Sequence, residues 1–109
     1  MSTYVFIESR DPFESADSRF VADTATALKQ RGDSVTVFLV QNGVLGARAR
    51  ARGSHITALA DAGIELLADD FSLRERGIAR GELASGVKEA TIGSLVDLIA
   101  REDAKAIWH

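Results

Sequence analysis

Four short apolar runs punctuate this chain: Tyr4-Val5-Phe6-Ile7, Val35 to Val40, Ile64 to Ala68, and Lys105-Ala106-Ile107-Trp108. Each is too short for a buried helix and rich enough in β-branched and aromatic residues to be a strand covered on both faces. The intervening segments carry helical spacing. Phe20, Val21, Thr24 and Leu28, with alanines between them, form one stripe that Gly32 stops, and Ser15 or Asp17 is placed to cap it. Ile56, Leu59 and Ala60 form a second helix after Gly53-Ser54, ending at Gly63. Phe71 to Arg76 reads as a short helix ending at Gly77, and residues 77–81 as a turn. Leu83 to Val87 reads either as a short strand or as irregular chain. Ile92, Leu95, Val96, Leu98 and Ile99 complete the pattern behind Thr91, a suitable cap. Strand–helix alternation means parallel pairing through right-handed crossovers. The expectation is an α/β fold with residues 1–109 as one domain: a three-layer sandwich whose mostly parallel sheet, of about five strands, carries helices on both faces.

Composition excludes several classes of function. The net charge of −3 is wrong for a general nucleic-acid binder, which needs a basic surface. No apolar run approaches the ~20 residues of a membrane span. Met1-Ser2-Thr3 leads straight into the first strand without the basic head and long apolar stretch of a secretory signal, so a cytoplasmic location is expected. The chain has no cysteine, which removes disulfides, thiol catalysis and cysteine-held metals. No metal or cofactor is expected: there is no Walker-type or dinucleotide glycine pattern, and no zinc-ligand spacing.

The chemistry-bearing residues gather after the strands. In an open parallel sheet, the carboxyl ends of the strands are where ligands bind. Asp69 and Asp70 close the Ile64–Ala68 strand and open the next helix. Adjacent carboxylates there can hold a cation or act as acid and base. Alternatively, Asp70 caps the Phe71 helix, with Asp69 assisting. Asn42-Gly43 marks a turn after the second strand, and Gly43 to Gly46 is a weak phosphate-loop candidate without the lysine that a true one requires. Beyond it Arg48, Arg50 and Arg52 alternate with alanines, and Gly53-Ser54-His55 precedes a helix. Guanidinium forks and free backbone N–H groups suit phosphate, sulfate or an acidic partner. The same loop is also readable as a solvated basic surface. His55 is either a proton shuttle toward Asp69 or an exposed histidine at a helix start. Glu8-Ser9-Arg10-Asp11 sits on the same sheet edge and reads as a polar loop. His109, at the end of the sequence, carries no signal of its own.

The stretch from Gly63 to Gly77, an apolar strand, an acidic pair and a short helix closing on Arg76-Gly77, resembles the DsrE/DsrF-like family, which includes the TusD-type sulfur-relay proteins. The opening strand, the Val35–Val44 strand and turn, and the Gly93-to-Trp108 ending match the family in order and spacing. Counting back from Gly77, the family's persulfide-carrying cysteine falls on Asp69. The resemblance implies a homo-oligomer, trimer or hexamer, or a mixed ring with paralogous subunits. It also implies a sulfur-carrier protein as partner and an accessible strand-end side chain at position 69. With the thiol gone, it implies an interaction or accessory subunit without persulfide transfer. The alternative from the residues alone is a protein, or an enzyme, that binds a small molecule or anion in a crevice built by Asp69, Arg48, Arg50, Arg52 and His55.

Overall fold

The computed structural model describes residues 2–109. Its centre is a five-stranded, all-parallel sheet in the order β4-β3-β2-β1-β5. The strands are β1 (Thr3–Glu8), β2 (Ser34–Leu39), β3 (Glu65–Asp69), β4 (Val87–Ala90) and β5 (Ala104–Trp108). The helices are α1 (Arg19–Gln30), α2 (Ile56–Asp61), α3 (Asp70–Glu75) and α4 (Ile92–Ile99), with 3-10 turns at Gln41–Ala47 and Arg80–Glu82. From β1 to β4 the chain adds each strand on the same side of the last. It then returns through α4 to set β5 beside β1. Right-handed crossovers send helices to opposite faces when the direction of travel reverses, and the two cores divide accordingly. Phe6, Val35, Val37, Leu39 and Leu66 pack with Val21 and Ala25 of α1 and Ile56 and Leu59 of α2. Val5, Ile7, Phe38 and Val40 pack with Leu95 of α4.

Strand alternation explains the split. Val5 and Ile7 of β1 are in register with Thr36 and Phe38 of β2, and with Ala106 and Trp108 of β5, so these side chains share the α4 face. Among the described residues, one eight-residue helix, α4, is all that crosses this face. Leu95 is buried beneath it, while Ile92, Val96 and Ile99 form an outer stripe and are 49%, 53% and 40% exposed. Trp108, at the end of edge strand β5, is 64% exposed.

Three local expectations need correction. The residue before α1 is Ser18, which makes no side-chain cap bond, and neither Ser15 nor Asp17 caps the helix. Asp17 is held elsewhere, by Arg10, Ser15 and His109. The fourth strand is Val87–Ala90, not Leu83–Val87. Gly86, at φ +92°, turns the chain just before Val87, which then pairs with Leu66. The cap of α3 is Asp69, not Asp70, because the chain at Asp69 is still extended and its side chain reaches forward to the Ser72 N–H.

Candidate functional site

Asp69 ends β3 and is 4% exposed. Its Oδ2 accepts the Ser72 backbone N–H at 3.0 Å and the Ser72 hydroxyl at 2.6 Å. Having donated to Asp69, the hydroxyl accepts the Gln41 N–H at 2.8 Å. Gln41 has a φ of +50°, uncommon for a residue with a side chain, and the bond to Ser72 helps hold it there. The next residue, Asn42, takes both Nε and Nη2 of Arg76 on its Oδ1, at 3.1 and 3.0 Å, and Arg76 Nη1 also donates to the Ser72 carbonyl. The end of β2 is therefore strapped to both ends of α3. The second carboxylate oxygen, Asp69 Oδ1, is buried without a hydrogen-bond partner among the described residues. This burial departs from the accessible strand-end residue that the family pattern implies. α3 packs against the 41–47 turn, and the capping bonds draw the carboxylate in under it.

Gly43 is required by the same corner. A Cβ there would lie 2.2 Å from the Glu8 carbonyl oxygen. It allows the turn after β2 to close onto the end of β1. Asp70 is half-buried, 3.5 Å from Arg74 one turn along α3.

The arginine loop is held by a different segment. Arg48 forms an antiparallel bridge with Leu83, the Ala49 N–H donates to the Glu82 carbonyl, and the Ala84 N–H donates to the Ala47 carbonyl. Arg48 Nε donates to the Leu45 carbonyl. Arg48 and Arg50 line an open groove with Gly81 and Glu82, and Arg52 is exposed. Among the described residues, no hydrogen bond or ion pair joins Asp69 to Arg48, Arg50 or Arg52. His55 stands apart from both. It precedes α2 in a left-handed conformation, φ +67°, and lines a cavity of about 30 Å³ between α1, α2 and the loop that follows β1. The sequence candidates thus occupy three settings: a buried cap, a basic groove and a cavity wall. Among the described residues, no group of three or more His, Asp or Glu side chains is placed to hold a metal, and no helix is long and apolar enough to cross a membrane.

The tightest cluster of charge was not visible in the sequence. His109 Nδ1 lies 2.7 Å from Glu8 Oε2, and its Nε2 lies 2.9 Å from Asp17 Oδ2. Its ring is tilted against Phe20, with centroids 5.0 Å apart. Arg10 Nη1 donates to both Asp17 oxygens, at 3.0 and 3.2 Å. Burial drives the Glu8 carboxyl above its ordinary value, and the contact with His109 only partly offsets this. Burial works against a charged His109, but its hydrogen bonds to Asp17 and Glu8 prevail and lift it above the usual 6.5. Asp17 is lowered by the Ser15 hydroxyl and by His109.

Residues 2–105 match the model of the DsrE/DsrF-like family. Among solved structures, the YchN protein of E. coli superposes with a TM-score of 0.86 at 19% identity, and each chain covers 100% of the other. MTH1491 of Methanobacterium thermoautotrophicum, described as a protein of unknown function, gives a TM-score of 0.77 at 20% identity, again with 100% of both chains covered. At such identities the likeness is one of fold. No curated protein matches the sequence.

Proposed function

Because this chain belongs to the DsrE/DsrF-like family, we propose that it is an accessory subunit linked to sulfur relay, one that docks to other chains without carrying sulfur itself. The observation that carries this reading is the state of position 69. Where the family pattern has its sulfur-carrying cysteine, this chain has a carboxylate, buried and committed to capping α3. Persulfide transfer needs a thiolate nucleophile, and a carboxylate oxygen cannot replace it. With no cysteine anywhere in the chain, no other residue can take over. Incubation with a persulfide donor followed by intact-mass spectrometry tests this directly. The expected mass is unchanged, and a stable added sulfur atom overturns the reading.

The docking face we propose is the α4 side of the sheet, and its occupant is a second copy of this chain, building toward a trimer or hexamer. The exposed Ile92, Val96 and Ile99 stripe and Trp108 are apolar groups of the kind that association covers. β5 also leaves one edge of the sheet unpaired. A paralogous subunit or a sulfur-carrier protein would use the same face in a mixed assembly. Light scattering that returns a particle of 11.7 kDa at micromolar concentration contradicts self-association.

A second reading rests on the basic groove. Arg50 and Arg52 have no ion-pair partner among the described residues, and Glu82, the acid in the groove, already accepts the Ala79 N–H through Oε1. An anionic ligand there would be lost on replacing Arg48, Arg50 and Arg52 together by alanine, and would weaken with added salt. Asp69 plays no direct part in this version.

A further inference from the structure

We propose that His109, Glu8 and Asp17 form a proton-operated latch that closes the loop of residues 9–18 over the cavity at the carboxyl edge of β1 and β2. Glu8 ends β1, Asp17 lies at the far end of the loop, and His109 follows β5. The ring stands between the two carboxylates with one nitrogen toward each. A metal does not fit this arrangement, because the two acids meet opposite sides of the imidazole. What fits is a proton. Neutral imidazole has one N–H and one lone pair. With both acids ionised, two bonds to carboxylate oxygens therefore need the doubly protonated ring. With Glu8 protonated instead, its O–H donates to Nδ1 and the ring N–H donates to Asp17. Either way the Glu8–His109 pair holds one extra proton. Its departure leaves one ring nitrogen's lone pair facing a carboxylate oxygen, across 2.7 Å at Glu8 or 2.9 Å at Asp17 according to the tautomer.

The backbone joins the same device. The His109 N–H donates to the Ile7 carbonyl, and the His109 carbonyl accepts from the Ser9 N–H and hydroxyl. These bonds keep the ring where the loop must meet it. Arg10 is the other charged side chain bonded within the cluster among the described residues. It donates to both Asp17 oxygens and helps hold that acid in place. Phe20 of α1 covers the ring and brings no charge. The loop roofs a cavity whose inner wall is Val21, Val37, Leu39, Ile56 and Leu59. Gly46 allows the close fit, since a Cβ there would lie 2.8 Å from Pro12. At about 30 Å³ the cavity has room for roughly two waters. Opening the latch widens the mouth of this largely apolar pocket.

The direction of the response follows from the raised His109 value. A group whose folded pKa lies above its unfolded one stabilises the closed form below the unfolded value. That stabilisation disappears as pH rises through the folded value. Glu8 is raised as well and acts in the same direction. Asp17 is lowered, so its contribution is lost only in acid, as pH falls below the ordinary carboxylate range. The latch is therefore shut from mildly acid pH up to the His109 titration and opens above it.

Hydrogen exchange across pH 5 to 9 on the intact chain, corrected for intrinsic rates, tests the latch. Protection of the Ser9, Glu14, Ser15 and Phe20 amides should fall about tenfold or more as His109 titrates, while β2 amides hold steady. His109→Gln should show low loop protection at every pH and no step. Should that variant fold poorly, Asp17→Asn provides the second arm, read by NMR titration of the His109 ring. Its midpoint should drop toward the ordinary histidine value. Loop protection in the native chain that does not change with pH, a His109→Gln protein that keeps the step, or a His109 midpoint unmoved by Asp17→Asn each overturns the proposal.

Discussion

Removing the Asp69 side chain measures how firmly position 69 is committed to structure. Asp69→Ala deletes the acceptor for two donors at once, the Ser72 N–H and the Ser72 hydroxyl. Loss of a helix N-cap costs ~1 kcal/mol. Ser72 is buried, and a buried donor left without a partner adds ~1–3 kcal/mol. Against this, the variant no longer buries a carboxylate whose Oδ1 has no partner, and that relief trims the total. The net expectation is a loss of about 2 kcal/mol. For a chain of this length that corresponds to a fall in Tm of roughly 8 °C, at about 4 °C per kcal/mol. Asp69→Asn keeps a carbonyl oxygen for the Ser72 N–H and should cost about half as much. Urea denaturation with a constant m-value provides the assay. A double cycle with Ser72→Ala should show strong coupling, since both changes remove the same bonds. The reasoning fails if Asp69→Ala is neutral. It fails in a more informative way if Asp69→Asn is worse than Asp69→Ala, because the negative charge would then be serving something bound at Oδ1 and the cap would be secondary.

Asp69→Cys should react with a thiol reagent more slowly than an unfolded control peptide, because the native side chain is only 4% exposed; labelling as fast as the peptide would place the site at the surface. Gly43→Ala should cost about 3 kcal/mol in chemical denaturation, since its Cβ would meet backbone, which cannot swing aside as a side-chain end can. Gly77→Ala should cost only about 1 kcal/mol in the same assay, as φ +66° is strained for alanine but nothing lies within 4 Å of the added methyl. Val96→Glu together with Trp108→Ser should leave the Tm of the isolated chain nearly unchanged and shift the light-scattering mass toward one chain, because both side chains are more exposed than buried; an assembly unaffected by the pair would exclude the α4 face as the contact.

Much of the fold was legible because its signals are local. A run such as Val35 to Val40 has only one comfortable setting, a strand covered on both faces, and Gly32 and Gly63 mark helix ends through backbone freedom confined to single residues. The order of those strands and helices, with their spacing, was enough to indicate the family, and the absence of cysteine needed no structure at all. The candidate site was legible only in part. Asp69 sits at a strand end as expected, but whether Asp69 or Asp70 caps α3 turns on where the chain leaves its extended conformation, a matter of one residue that spacing does not resolve. β4 began later than expected because pairing with Leu66, across the sheet, decides where a weak strand starts. The arginine loop looked like a neighbour of Asp69, since both follow adjacent strands. Its backbone instead bonds to residues 82–84, a choice made by packing. His109 is the extreme case. Its partners Glu8 and Asp17 lie 101 and 92 residues away in sequence, and no periodicity or motif links them. Only the return of the chain through α4, which sets β5 beside β1, brings that imidazole between two carboxylates in a partly buried corner where one proton can bind both.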